Sequence, residues 1–311
     1  MPVSAALPGI FRSLVAASLC AAVASSAAGA EAEPRVVRDV PFASVGKSEL
    51  RFDLYVPRTA PVAGLVVWVH GGAWRAGSRA SVDLLGLTGR GWAIASVDYR
   101  LSPVARFPAQ VHDIKAAIRF LRRHASEYGY PASTIVIAGS SAGAHLAALV
   151  GVTNGNAELE GKVGSDGQHS SDVQAIVSLY GASNLTTILQ QSTPHGLNVR
   201  VPALELLLGA RPEAAAALAR LASPVFQVDA RDPPLYLSHG DQDNQMPINQ
   251  SHELAGAYER LGLPVRFDVM HGSGHGGPAF TSPEALAHID EFLRRHLAGA
   301  SGASPKAAST Q

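Results

Sequence analysis

The chain has 311 residues, carries 25 basic and 25 acidic side chains, and is 47% hydrophobic against 16% charged. That length and apolar content allow a sizeable core and exclude a disordered chain. Balanced charge leaves no electrostatic case for a nucleic-acid partner or for adhesion to an anionic membrane.

The first thirty residues differ in kind from the rest. Arg12 is the only charged side chain before Glu31, an apolar run from Leu14 to Val23 follows it, and Ala28-Gly29-Ala30 has the small-x-small pattern cut by signal peptidase. Residues 1–30 are therefore expected to be a cleaved secretory signal, with a secreted or periplasmic product beginning near Ala30. The run is too short and too alanine-rich for stable membrane insertion. Cys20, the only cysteine, lies inside it and is preceded by Leu19, where a lipoprotein signal needs a small residue. Cleavage leaves no disulfide, no thiol nucleophile and no cysteine-bound metal.

Residues 31–297 read as one α/β domain. Val36 to Phe42 and Leu50 to Val56 alternate as an antiparallel pair, with Ser44 to Ser48 as the turn. From Gly64 onward, buried strands are separated by amphipathic helices. Strands are predicted at Leu65 to Val69, Ala93 to Val97, Thr134 to Ala138, Val173 to Leu179, Leu235 to Ser238 and Val265 to Met270. Helices are predicted at Gln110 to Tyr128, Ala142 to Val150, Asn249 to Leu261 and Pro283 to Leu297. That rhythm implies a mostly parallel central sheet with helices on both faces. Lys115, Arg119, Arg122 and Arg123 fall opposite Ile114, Ile118 and Leu121, so they are expected on a solvated helix face. Thr153 to Asp172 is a long polar loop, which implies a role or mobility. Two short helical pieces between Ser183 and Ala222, one of them Glu213 to Leu221, have no strand partner and make at most a small cap. The tail, residues 298–311, is almost all Ala, Ser and Gly and is expected to be disordered.

Gly139-Ser140-Ser141-Ala142-Gly143 places a serine where the third of the parallel strands meets a small-residue helix, in the GxSxG pattern of a nucleophile elbow. Only Ser141 fits the frame, because Ser140 would need glycine at Ala138 and Ala142. Glycines at 139 and 143 relieve the crowding of strand against helix, and the helix N-terminus favours developing negative charge. Alone, the pattern also fits an incidental serine in a glycine-rich turn.

A serine needs a base, and twelve histidines compete for that role. The order serine, acid, histidine on loops after successive strands favours His275, in Gly272-Ser273-Gly274-His275-Gly276-Gly277, over His271 at the strand end. Those six residues also match GxGxxG, but too little chain follows for a dinucleotide-binding unit. The acid is Asp241 or Asp243 in His239-Gly240-Asp241-Gln242-Asp243. Spacing prefers Asp243 as the partner of the base and Asp241 as the organiser of the turn. Gln245, Met246 and His252 stand where a calcium loop needs an oxygen ligand, a glycine and a glutamate, so no calcium site is read here. Gly71 and Gly72 of His70-Gly71-Gly72-Ala73-Trp74, together with the N–H of Ala142, are candidates for an oxyanion hole. His70 is expected to brace that loop; Trp74 either lines the acyl pocket or packs beneath it. With no HExxH and no P-loop, neither a metal nor another cofactor is implied.

Taken together, HGGAW at 70–74, VDYRLSP at 97–103, GSSAGAHLAAL at 139–149, HGDQDNQMPINQS at 239–251 and GSGHGG at 272–277 resemble the α/β-hydrolase esterases of the bifunctional feruloyl and acetyl-xylan esterase group. Their neighbours are the hormone-sensitive-lipase-like esterases and the kynurenine formamidases. The resemblance runs from Val36 to Leu297. It implies the α/β-hydrolase fold and a catalytic triad of Ser141, Asp243 and His275, with Met246 replacing the usual valine of the HGxxDxxVP motif. Ala73 stands where the neighbouring lipases carry a glycine. Asp98, Tyr99, Arg100 and Asp113 are read as structural. The implied activity is hydrolysis of short-chain acyl, acetyl or feruloyl esters, small or polysaccharide-linked. An amidase of the formamidase kind, a polyester hydrolase, or a non-catalytic module that kept the fold are the alternatives.

Overall fold

The computed structural model describes residues 33–58 and 61–298. The leader expected at residues 1–30 and all of the expected tail beyond Ala298 lie outside them.

Chain order is β1 (Arg35–Val45), β2 (Ser48–Val56), β3 (Gly64–Val69), β4 (Trp92–Val97), α1 (Ala109–Arg123), α2 (Ala125–Tyr128), β5 (Ile135–Ser140), α3 (Ala142–Gly151), α4 (Ala157–Glu160), β6 (Ala175–Leu179), α5 (Ile188–Gln191), α6 (Pro194–Leu208), α7 (Ala216–Leu221), β7 (Leu235–Gly240), α8 (Asn249–Arg260), β8 (Val265–Met270) and α9 (Pro283–Leu297). The strands form one sheet in the order β1-β2-β4-β3-β5-β6-β7-β8. β1, β2 and β4 pair antiparallel, and every pair from β4 to β8 is parallel.

Alternation along the parallel strands explains the two layers. Leu65, Val67, Val69, Ile135 and Ile137 face one core, beneath α1, α3 and α8, which supply Ile114, Ile118, Leu146, Leu149 and Tyr258. Val66, Trp68, Val136 and Ala138 face the other, beneath Leu84, Leu87 and the α9 residues Ile289, Phe292 and Leu293. A strand buried on both faces has no use for polar alternation, which is why these segments read as continuous apolar runs. Strand order turns back at β3, whose neighbours β4 and β5 lie on opposite sides. The crevice beyond the carboxyl ends of strands at such a reversal is where open α/β sheets bind ligands.

Four expectations need correction. The β1–β2 turn is tighter than Ser44 to Ser48: pairing continues to Val45 and Ser48, and Gly46, at φ 59°, takes the left-handed corner. The helix expected to run to Tyr128 leaves helical geometry at His124 and resumes as α2. The segment between β6 and β7 holds three helices rather than two short pieces, and α6 is fifteen residues long.

The fourth concerns the basic side chains of α1. Lys115 and Arg119 are not solvated; they are fully or almost fully buried. Lys115 Nζ donates to Thr153 O at 2.6 Å and to Glu160 Oε2 at 3.2 Å, while Arg119 pairs with Glu160 Oε1 and donates to Val163 O at 2.8 Å. Arg122 donates to Ser170 O, and Arg123 to Asp166 Oδ1 at 2.5 Å. The polar loop 153–172 folds over this helix face and covers it. Spacing reports which residues share a helix face but not what chain returns to lie on it.

Candidate active site

Every candidate residue stands at the carboxyl end of the sheet. Ser141 follows β5 at φ 54°, ψ −118°, a conformation that costs a non-glycine residue of the order of 1–3 kcal/mol. Its N–H donates to Leu179 O at 2.9 Å, and its carbonyl accepts the first α3 hydrogen bond from His145 N at 3.1 Å. Close packing holds the elbow. A β-carbon on Gly143 would lie 2.0 Å from Val69 O, and one on Gly139 would lie 2.4 Å from Gly143 O. Glycine is needed at both positions because α3 crosses directly over β3 and β5.

His275 enters from the loop after β8. Its Nε2 lies 2.8 Å from Ser141 Oγ and its Nδ1 lies 2.7 Å from Asp243 Oδ2. Because a carboxylate only accepts, the proton belongs on Nδ1, leaving Nε2 to take the serine proton. Asp243 follows β7; its Oδ1 accepts the N–H groups of Gln245 and Met246 at 2.9 and 2.8 Å. Burial alone would push this carboxyl up. Hydrogen bonds from His239, His275 and the Met246 N–H outweigh burial and hold it well below the usual carboxylate range.

Asp241 and His271 are paired with each other instead, Oδ2 to Nδ1 at 2.8 Å, and Asp241 Oδ1 accepts Gly272 N–H at 2.8 Å. This ties the β7 and β8 loops together and leaves the His271 side chain largely exposed to solvent.

Gly71 packs against the elbow: a β-carbon there would meet Ser140 O at 3.0 Å and Ser141 Cβ at 3.4 Å. Gly72 has φ 106°, and its carbonyl accepts the N–H groups of Arg75 and Ala76. Ala142 opens α3, so its N–H is one of those a helix leaves unpaired at its start. His70 stacks on Tyr99, with ring centroids 4.5 Å apart, and Tyr99 Oη donates to His70 O at 3.1 Å. Burial pushes the His70 imidazole down, partly offset by the Gly71 carbonyl and Asp98. Arg100 forks onto Asp113, and Arg79 bridges Asp98 and Asp53, so these charges brace loops rather than face the site.

Trp74 does not line an acyl pocket. Left-handed backbone at Ala73 and Trp74 turns the indole inward, where it is fully buried and donates to His145 Nδ1 at 3.1 Å.

Three residues near the site carried no role in the sequence reading. His239, within HGDQD, lies behind Asp243 with Nε2 3.2 Å from Oδ2, and its Nδ1 accepts from Ser251 Oγ at 2.7 Å. Tyr180, at φ 45°, sets its ring edge-on to His275 at 4.9 Å between centroids. Arg200 on α6 is buried and donates to Gln245 O at 2.6 Å, holding the acid loop from the cap side. The HGDQD motif is the signal that was available for His239; no local pattern marks the other two, which reach the site through tertiary packing. Among the described residues, no group of three or more His, Cys, Asp or Glu is placed to hold a metal ion, and no helix is long and apolar enough to cross a membrane.

Comparison with known proteins agrees with this architecture. Esterase LipC of Mycobacterium tuberculosis is 34% identical over 251 residues, which are 75% of this chain and 58% of that protein. A probable isoprenylcysteine alpha-carbonyl methylesterase of Arabidopsis thaliana is 32% identical over 78% of this chain and 52% of its own length. The chain thus spans little more than half the length of these curated relatives. A truncated form of a carbohydrate esterase from gut microbiota superposes with a TM-score of 0.77 at 30% identity, covering 86% of this chain and 97% of that one. Est2 of the planctomycete Thermogutta terrifontis, bound to propionate, gives 0.67 at 27%, covering 85% and 95%. The BD-FAE family model matches residues 52–258. With the sheet order, the elbow and these likenesses together, the chain belongs to the BD-FAE family and has the α/β-hydrolase fold of the esterases it resembles.

Proposed function

We propose that the protein is a secreted serine carboxylic-ester hydrolase. The observation that carries this reading is the unbroken chain of hydrogen bonds from Ser141 Oγ through His275 to Asp243. Ser141 attacks the ester carbonyl as His275 Nε2 takes its proton, and Asp243 holds the ring in the required tautomer and stabilises the imidazolium that forms. The N–H groups of Gly71, Gly72 and Ala142 receive the oxyanion. His275 returns the proton to the departing alcohol, leaving an acyl-enzyme. Water then attacks with His275 again as base, and Ser141 is regenerated.

Short acyl groups are the proposed substrates: acetyl, other short-chain or feruloyl esters, free or on a polysaccharide. The propionate and butyrate bound to Est2 support short acyl groups, and the carbohydrate esterase among the structural relatives supports a polysaccharide-linked one. Export rests on the leader at residues 1–30, which has the charge and apolar pattern of a cleaved signal.

Turnover of p-nitrophenyl acetate is expected from the purified protein and is expected to disappear in Ser141→Ala. Absence of turnover in the wild type, or its survival in the variant, overturns the reading. Rates on p-nitrophenyl esters of increasing chain length, methyl ferulate and acetylated xylan then rank the acyl and alcohol groups.

A further inference from the structure

The loop after β3 carries three consecutive residues with left-handed backbone: Gly72 at φ 106°, Ala73 at 50° and Trp74 at 59°. Glycine adopts this freely, but alanine and tryptophan do so only where their surroundings over-determine it. Trp74 is packed in the apolar core and its carbonyl accepts Ser102 N–H at 2.8 Å, but the one polar atom of its side chain is met by a single imidazole. Its buried indole stands edge-on to His145, with ring centroids 5.3 Å apart at 86°, and donates Nε1–H to His145 Nδ1 at 3.1 Å.

An indole nitrogen only donates, so Nδ1 must be the bare acceptor and the imidazole proton must sit on Nε2. That proton is given to Ala222 O at 2.7 Å. Ala222 caps α7, the last α-helix between β6 and β7, and its carbonyl is one of those a helix end leaves without an intrahelical donor. His145 itself lies one turn into α3 and donates its backbone N–H to Ser141 O. A single ring thus joins the nucleophile's helix, the strained loop and the point where the cap returns to the sheet. Burial, with the Arg200 guanidinium nearby, pushes His145 down to about 4 and keeps it neutral, as the two hydrogen bonds require.

We propose that His145 is a positioning residue that holds the Gly71–Gly72 loop and the end of the cap in register with Ser141. The proposal rests on the esterase reading, since it assigns those glycines to the oxyanion. Trp74 lies two residues beyond Gly72, so releasing its indole lets the N–H donors drift from where the oxyanion forms. That contact exists fully only in the transition state, so its loss lowers kcat and leaves KM nearly unchanged.

The test compares His145→Phe, His145→Gln, Trp74→Phe and the double variant His145→Phe/Trp74→Phe on p-nitrophenyl acetate. Phenylalanine at 145 keeps the ring but makes neither hydrogen bond; glutamine carries both an acceptor and a donor. Expected are a kcat loss of at least tenfold in His145→Phe and in Trp74→Phe with KM within about twofold, a double variant no worse than either single one, and partial recovery in His145→Gln. Indole N–H exchange followed by ¹⁵N NMR reports the tie without any turnover. The Trp74 signal is expected to exchange slowly in the wild type and His145→Gln, and fast in His145→Phe. Unchanged kcat in folded variants, a loss confined to KM, additive losses, or slow indole exchange in His145→Phe each overturn the proposal. If His145→Phe does not fold, Trp74→Phe decides alone, because it removes the donated bond while leaving His145 and its bond to Ala222 in place, and full kcat there is fatal to the idea. A wild type without ester turnover would instead sink the esterase reading, while indole exchange would still decide whether His145 holds the loop.

Discussion

His239 places Nε2 3.2 Å from Oδ2 of Asp243, the same oxygen that takes the Nδ1–H of His275 at 2.7 Å. His239 Nε2 also lies 3.0 Å from Met246 O, a carbonyl that only accepts, so that nitrogen carries the proton and donates toward both oxygens. Asp243 is therefore ionised, fully hydrogen-bonded and fixed in orientation before a substrate arrives. Asp241, two residues earlier, is committed to His271 and Gly272.

Replacing each aspartate by asparagine separates these roles. In Asp243→Asn the amide no longer enforces the Nδ1–H tautomer of His275, and kcat on p-nitrophenyl acetate is expected to fall by about 10³–10⁴-fold. Asp241→Asn is expected to stay within about threefold of the wild type. The assignment of the acid is wrong if the Asp241 change does more damage.

Gly143→Ala tests the packing of the elbow. Its β-carbon would be forced to 2.0 Å from Val69 O and 2.5 Å from His70 O, both backbone atoms that cannot swing aside. Separation of α3 from β3 is expected to cost about 3 kcal/mol in urea denaturation and to lower kcat in the fraction that folds, because Ser141 and the Gly71 loop sit on the two displaced elements. Wild-type stability and activity in this variant would contradict the packing argument.

Glu160→Gln tests the buried basic face of α1. Glu160 is the carboxylate shared by Lys115 and Arg119, and it also accepts from Ser171 Oγ at 2.7 Å. Removing its charge leaves two buried cations without their partner. The expected loss is about 3 kcal/mol by urea denaturation, with kcat and KM unchanged because the cluster lies far from Ser141 in the fold. Lys115→Met in the same background should restore part of the stability, since it removes one uncompensated charge.

Asp232 carries a pH signature of its own. Burial pushes its carboxyl up to about 7, against one hydrogen bond from Asp229 N–H at 2.8 Å. A carboxyl raised in the folded state binds protons there that the unfolded chain, with a pKa of about 3.9, has already released. Stability from this group is thus greatest below about pH 4 and declines as pH rises through 7. Asp232→Asn keeps an acceptor for Asp229 but has no charge to bury. It is expected to be more stable than the wild type at pH 8, by at most about 4 kcal/mol, and to differ little at pH 4. Urea denaturation at the two pH values checks both the sign and the window.

Much of the fold is legible in local pattern. Strands at 65–69 and 93–97 announce themselves because a strand covered on both faces is largely apolar, and the edge strand at 265–270 does so by alternating Val265, Phe267 and Val269 with Arg266 and Asp268. Elbow and acid loop are legible because a strained turn and a loop between strand and helix admit few residues. The buried basic face of α1 and the three α-helices of the cap are not legible locally because their environments come from chain far away in sequence. Lys115 is buried by a loop that begins 38 residues later, and the 15-residue α6 is stabilised by packing and by Arg200 on Gln245 O rather than by a clean amphipathic pattern.

Motif order by itself determined the α/β-hydrolase fold and the candidates Ser141, Asp243 and His275, since backbone conformation and side-chain chemistry at those turns are local requirements. Only the tertiary structure decided that Asp241 turns to His271, that Trp74 faces inward onto His145, and that His239 and Tyr180 surround Asp243 and His275. Those are distances between loops after different strands. They depend on sheet order and helix packing, which set where each loop ends in space and are written in no single stretch of the chain.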